Sequence, residues 1–338
     1  MTIRMPAEWE PHDWLWIGFP WNADEWGGAE TLARAQAQLA AFADAVRTGG
    51  GDVGKGEEVR LVCNDEEGAA LARSLLRSDA TVMVERIGDV WLRDTAPLAV
   101  ERGDGSRALA DFGFNGWGGK YQMPGDEDIG ARLAATTGLP CSTIPLVFEG
   151  GAVDTDGTGL FVTTEQCLLN PNRNPTLERE QIETLLAGSL GLSDMLWLGD
   201  GLVNDHTDGH VDNLARFVAP GVLAIPQATA ADDPNAAIYA DAAERARAHG
   251  LTVAPMPSPG RIEVDGEVIP ASYMNFLIAN AVVVVPVYGA PNDGAILDAL
   301  APFFPGRAIV PLASDAILAG GGSFHCTSQQ MPSAPARL

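Results

Sequence analysis

The chain has 338 residues, 46% of them hydrophobic, enough for one large domain or two ordinary ones. It carries 45 acidic and 21 basic residues, a formal net charge of −24, with a pI of about 4.4. So acidic a surface argues against nucleic acid and anionic membrane surfaces as partners and is compatible with steering a small cation, although solvation alone is the first reading of the global charge.

From the N-terminus, Met1–Pro6 offers no apolar stretch of the signal-peptide kind. The run Trp14 to Trp21 is unusually aromatic and reads as core or as the lining of a substrate channel. Helical patterns then cover 29–48, 66–78, 127–137, 176–190, 235–249 and 292–303, the fifth closed by Gly250 as a C-cap. A glycine-rich loop is expected at 48–56. Between the helices lie strand-like runs at 59–63, 81–86, 90–100, 108–114, 160–163, 195–198, 214–218, 222–225, 252–255, 274–286 and 308–312. Strands alternating with helices predict an α/β fold, and the absence of a linker predicts one domain over 1–338. The longest apolar run, Phe276 to Ala290, is broken by Asn280 and Pro286 and falls short of the roughly 20 residues of a spanning helix. Cysteines stand at 63, 141, 167 and 326 without a CxxC or zinc spacing. Cys63 and Cys167 read as core, Cys141 as core or loop. A soluble, disulfide-free, cytoplasmic protein is expected.

Four polar clusters follow or interrupt apolar runs. Gly320-Gly321-Gly322-Ser323-Phe324-His325-Cys326 brings a thiol to the end of a glycine approach, the setting of a candidate nucleophile. Arg93-Asp94-Thr95 follows Val90-Trp91-Leu92, where the carboxylate can take a guanidinium or ammonium against the Trp91 ring; the bland alternative is an Arg93–Asp94 structural pair. Glu149-Gly150-Gly151 follows an apolar strand and offers a buried carboxylate open on one side, or the start of a hairpin leading to the turn Asp154-Thr155-Asp156-Gly157. In the segment 204–213, His210 and Asp212 share one face if the backbone is extended, so that an imidazole and a carboxylate stand together for proton transfer. The alternatives there are an acidic loop or a metal site completed by His206, Asp208 or His325. In a strand His325 would point away from its neighbour, leaving His210 as the better general base for Cys326. With many carboxylates nearby, the charge that activates the thiol is expected to come from a bound cationic substrate.

The clusters are evenly spaced. Asp94 and Glu149 are 55 residues apart, Glu149 and His210 61, and His210 and Cys326 116. A unit of roughly 55–60 residues, each giving one chemical group to a shared centre, is the implied repeat. The slot it leaves unfilled falls near residue 268, beside Ile269 to Asn275.

Taken with Met5-Pro6-Ala7-Glu8-Trp9-Glu10-Pro11-His12, Phe114 to Tyr121, Thr164 to Pro175 and Pro291-Asn292-Asp293, these motifs make the chain resemble the agmatine deiminases, within the Porphyromonas-type peptidylarginine deiminase group of the guanidino-group-modifying (pentein) superfamily. The resemblance runs nearly end to end. It implies a five-fold pseudosymmetric α/β propeller and the hydrolytic deimination of a small cationic guanidino compound, agmatine first, without metal or cofactor. It implies Cys326 as nucleophile, His210 as general acid and base, Glu149 as the carboxylate supporting both His210 and substrate, and Asp94 and Asp212 as the grip on the guanidinium nitrogens. Trp91, Trp117, His206 and Asp208 are the expected further substrate contacts. Members are often dimers, so a homodimer is compatible with the resemblance. Two departures stand out: His206 occupies a position that is usually Glu near the distal amine, and Ala96 replaces a common Gly. The other readings are the same chemistry on another guanidine, amidino transfer, and guanidine or polyamine binding without turnover.

Overall fold

The computed structural model describes residues 2–51, 56–264 and 266–334. Its organising feature is one pairing scheme that recurs in five open sheets. In each, an antiparallel partner lies beside a middle strand, and a helix carries the chain from that middle strand to a parallel neighbour. The strands Leu98–Arg102, Arg107–Gly113 and Cys141–Val147 form one such set, with helix Ile129–Thr137 as the crossover. Asp154–Thr155, Leu160–Thr164 and Asp194–Leu198 form the next, crossed by Arg179–Leu190. Arg216–Ala219, Val222–Gln227 and Thr252–Pro257 follow with helix Ala236–Ala248, then Leu277–Ile278, Val282–Val287 and Ala308–Ala313 with helix Asp293–Leu300. The fifth set is stitched from both ends of the chain. His12–Phe19 and Glu58–Cys63 run parallel across helix Ala29–Thr48, and the antiparallel partner is Ser328–Pro332.

Local sequence explains the elements. Ala29–Thr48 is rich in Ala, Leu, Gln and Arg, turns Leu39, Phe42, Ala43 and Val46 to the core, and stops at Gly49 in the left-handed conformation. Val282–Val287, a run of Val broken by Pro286, is covered on both faces and reads as a continuous apolar run.

Several expectations need correction. The run 90–100 is not one strand: Leu92–Thr95 is a single helical turn, and the strand begins at Leu98. The run 274–286 is split into a turn at Tyr273–Asn275 and two strands. The aromatic segment is core, as one of its two readings had it, with Trp14 and Trp16 buried, but it is also a strand, His12–Phe19, which was not predicted. Its helix-free brevity and bulky residues hid it among core signals, as the lack of alternation hid Cys141–Val147. Of the expected loop at 48–56, Thr48 ends the helix and residues 52–55 lie outside the described residues. Cys63 and Cys167 are buried, while Cys141 is exposed. Among the described residues no helix is long and apolar enough to cross a membrane.

Candidate active site

Each of the five sets is entered through a short non-strand segment, and the expected site residues sit on these segments. Asp94 lies on the turn Leu92–Thr95, four residues before its strand. Glu149 precedes the 3-10 turn Gly150–Ala152. His210 and Asp212 flank the start of the 3-10 turn Val211–Asn213, so the condition of an extended backbone is not met there. They converge because a tight turn, like a strand, can bring residues two apart near one centre. Cys326 lies in a turn just before Ser328–Pro332.

Gly151 marks the meeting point. A Cβ built there would lie 2.6 Å from His210 Nδ1, 2.8 Å from Asp94 Oδ1 and 3.1 Å from Asp212 Oδ2, so only glycine leaves room for three polar side chains. His210 is fully buried, with Nδ1 3.6 Å from Asp94 Oδ1 and Nε2 3.8 Å from Glu149 Oε2. Neither ring nitrogen has a hydrogen-bond partner, and the same holds for Glu149 Oε2 and Asp212 Oδ1. Buried polar atoms are normally satisfied, so this unmet capacity is characteristic of a site that waits for a ligand. Cys326 Sγ stands 3.5 Å from Asp212 Oδ2. Asp94 accepts from Trp117 Nε1 at 2.9 Å and from the Gly151 amide at 3.0 Å. Trp117 is held at a positive φ of 52°, a conformation that costs energy for a bulky residue and is repaid here by the indole–carboxylate bond.

The electrostatics divide the site. Burial, reinforced by the Asp212 and Asp94 carboxylates, pushes the Cys326 thiol well above its ordinary value. Burial opposes a charge on His210, yet the Asp94 carboxylate, the Cys167 sulfur and Glu149 outweigh it and hold the imidazole well above its usual range. Burial also lifts Asp94, against the pull of His210 and with the push of Asp212 and Glu149, to about 6. Glu149 is lowered, because His210 and Arg173 outweigh its burial.

A cavity of about 230 Å³ ends at Cys326 and Asp94. Trp91, Trp117, Tyr121 and the exposed His206 line it, along with Gly320 and Gly321. Trp91 stacks on Trp26 with 6.0 Å between centroids, and Trp26 donates to Asp89, another lining residue. Gly322 lets the approach segment pass: a Cβ there would come within 2.7 Å of the Trp91 ring and 3.1 Å of Cys326 Sγ.

Two expectations about side chains change. Asp208 does not line the cavity; Lys120 Nζ at 2.5 Å, Asn172 Nδ2 at 2.9 Å and Arg173 take up its carboxylate. Arg93 does not pair with Asp94 but reaches Glu8 at 3.5 Å. Sequence reasoning missed Arg173, which is buried and donates to Glu149 Oε1 at 2.9 Å and to the Thr207 carbonyl at 2.7 Å. Its setting in Asn170-Pro171-Asn172-Arg173-Asn174-Pro175, an arginine between turn residues, was the available signal. Also missed was the second role of His325, whose Nδ1 lies 2.7 Å from Asp212 Oδ2 and Nε2 2.8 Å from Glu8 Oε2.

Among the described residues one group has metal-ligand geometry: atoms of Glu149, Cys167 and His210 lie within 4.8 Å of one another. His206, Asp208 and His325 are not part of it. The Arg173 guanidinium on Glu149 opposes a cation there.

Residues 4–332 match the model of the Porphyromonas-type peptidyl-arginine deiminase family. The chain belongs to that family. An agmatine deiminase of Stutzerimonas stutzeri is 36% identical, covering 97% of this chain and 95% of its own. Among solved structures, an agmatine deiminase of Enterococcus faecalis superposes with a TM-score of 0.89 at 30% identity over 98% of this chain and 96% of that one. A C. jejuni agmatine deiminase with substrate bound superposes at 0.89 with 25% identity over 98% and 97%. The fold shared with these family members is the α/β pentein fold.

Proposed function

We propose that the chain is a hydrolase of the guanidino C–N bond and that its substrate is agmatine, converted to N-carbamoylputrescine and ammonia. The observation that carries this reading is the inner end of the cavity: the Cys326 thiol and Asp94 line it, and directly behind them, buried, stand Asp212 at 3.5 Å from the sulfur and an unpartnered His210 imidazole 3.8 Å from Glu149. The named activity of the relatives supports the choice of agmatine.

Guanidinium carbon is a poor electrophile because its charge is spread over three nitrogens. Asp94 and Asp212 hold the nitrogens in plane and turn the carbon toward Cys326, which supplies orientation. The cation also offsets the two carboxylates that hold the thiol up, so substrate binding favours the thiolate. The sulfur attacks and a C–S bond forms. His210 gives its proton to the departing nitrogen, the C–N bond breaks and ammonia leaves. Water then attacks the amidino-thioether carbon, His210 takes its proton, and the C–S bond breaks to release the ureido product and Cys326. Glu149, oriented by Arg173, steadies the imidazolium.

The five sheets, on this reading, stand around a pseudo-five-fold axis in a propeller, each entering segment pointing inward, in one catalytic domain. Free thiol chemistry suits the reducing cytoplasm. A second reading, the same chemistry on another guanidine, is favoured by one observation: the exposed cavity residue at 206 is His, which brings no carboxylate to a distal ammonium.

The test is ammonia and ureido product formed from agmatine, arginine and alkylguanidines, with Cys326→Ala as control. Agmatine turnover lost in the variant supports the proposal. Turnover of another guanidine alone moves the substrate, and no turnover by folded protein rejects hydrolysis.

A further inference from the structure

Four of the five entering segments supply Asp94, Glu149, His210 with Asp212, and Cys326. The remaining one, Tyr273–Asn275, stands two residues before the strand Leu277–Ile278. We propose that Asn275 is a further catalytic residue, whose side-chain amide donates to Cys326 Sγ, stabilises its thiolate and aims it at the substrate carbon. This rests on the proposed role of Cys326 as nucleophile.

The geometry is specific. Asn275 is buried, and its Nδ2 lies 3.0 Å from Cys326 Sγ. Its Oδ1 accepts from the Cys326 amide at 3.1 Å, which fixes the orientation of the carboxamide and leaves Nδ2 facing the sulfur. The Asn275 carbonyl accepts from the His325 amide at 3.2 Å, so main chain and side chain together hold the turn that carries the nucleophile. Nδ2 also lies 3.0 Å from Asn213 Oδ1 and 3.2 Å from Asp212 Oδ2. Two hydrogens serve three acceptors there, and an anionic sulfur competes for one better than a neutral thiol does.

The charged groups around the sulfur explain the need. Asp212 and Asp94 disfavour a thiolate, as does burial. His325 is committed to Asp212 and Glu8, and His210 faces Asp94 and Glu149. Asn275 is the neutral side chain that donates to the sulfur, and it does so without adding a charge that would repel a cationic substrate.

The experiment is the pH dependence of Cys326 alkylation by iodoacetamide, in a Cys141→Ser background that removes the exposed thiol. Asn275→Ala is expected to move the midpoint to higher pH. It should also lower agmatine kcat about 10- to 100-fold, the loss of one hydrogen bond to a charged group, with a much smaller change in KM. Asn275→Asp, nearly isosteric, replaces the donor with a carboxylate and is expected to do both more strongly. An unchanged alkylation midpoint in either folded variant overturns the proposal, even if the melting temperature falls, because a purely structural role predicts only that fall. Should Asn275→Ala not fold, Asn275→Asp decides alone. Alkylation needs no substrate, so a chain that turned over no guanidine would reject the proposed function while this readout still judged Asn275.

Discussion

Two buried charge clusters lie side by side in this molecule and differ in how far their charges are matched. In the first, Glu8 meets Arg216 at 2.9 Å, His325 at 2.8 Å and Arg93 at 3.5 Å, and Arg216 reaches Asp154 at 3.1 Å. Every charge there faces an opposite one, although Arg216 Nη2, 2.9 Å from Glu8 but poorly aligned, lacks a hydrogen bond. In the second, His210 has no hydrogen-bond partner at either nitrogen, and Glu149 and Asp212 each leave one oxygen free. Desolvation is severe in both, so the difference lies in pairing. The matched cluster holds shape; the unmatched one keeps its interactions for a ligand and for a transferred proton. His325 joins them, since its other nitrogen steadies Asp212.

The comparison predicts that variants in the second cluster cost turnover and variants in the first cost stability. The largest effect is expected for His210→Gln, which removes the proton carrier: kcat on agmatine should fall about 10²- to 10⁴-fold, measured as ammonia release. A loss below tenfold would contradict the assignment. In the first cluster, Glu8→Gln leaves Arg93 without its carboxylate partner and Arg216 with Asp154 alone, and should cost about 3–5 kcal/mol in chemical denaturation at neutral pH. The pH sign follows from linkage. Burial pushes the Glu8 carboxyl up, but Arg216, His325 and Arg93 outweigh it and hold it well below its usual range. Its contribution is therefore complete above the ordinary carboxylate value and lost as pH falls toward the folded value. Glu8→Gln should be less stable at pH 7 and show a shallower acid loss; equal slopes would reject the linkage.

A bound guanidinium analogue that resists turnover should bring the alkylation midpoint of Cys326 down, since it offsets Asp94 and Asp212. A midpoint that stays put would mean that the thiolate forms without substrate charge. Asp94, lifted to about 6 by burial, must be ionised to hold the cation. The kcat/KM profile should thus lose its value as pH falls through that region. Trp117→Phe removes the indole bond that favours the ionised carboxyl and should move this limb to higher pH. The smallest effect is expected at the exposed His206: His206→Glu should lower KM for agmatine by a factor of about 2–5, the scale of a solvated ion pair, while leaving kcat nearly unchanged. No gain, with a good rate in the parent, would show that the distal end has not diverged.

The parts of the site legible in the sequence were those written as local signatures. Glycines before Cys326, an apolar run before Asp94, and the spacing of the clusters marked positions where the chain must approach a ligand closely. Even the fifth slot was placed near residue 268, beside a segment that ends at Asn275, although no chemistry could be given to it. What failed depended on backbone shape. His210 and Asp212 meet through a 3-10 turn rather than a strand, and Gly151, distant in sequence, leaves the room in which their side chains come together.

Sequence by itself thus determined the α/β pattern, the repeat period and the residue types that gather around Gly151 and Cys326, because helix, strand and turn preferences are local and the motifs are contiguous. Only the tertiary structure decided partnership. Asp208 and Arg93 are drawn away from the cavity by Arg173 and Glu8, residues 35 and 85 positions distant. Asn275 reaches Cys326 across 51 residues. Which carboxylate is neutralised and which left free is fixed by packing at distances of about 3 Å, and no local pattern carries that information.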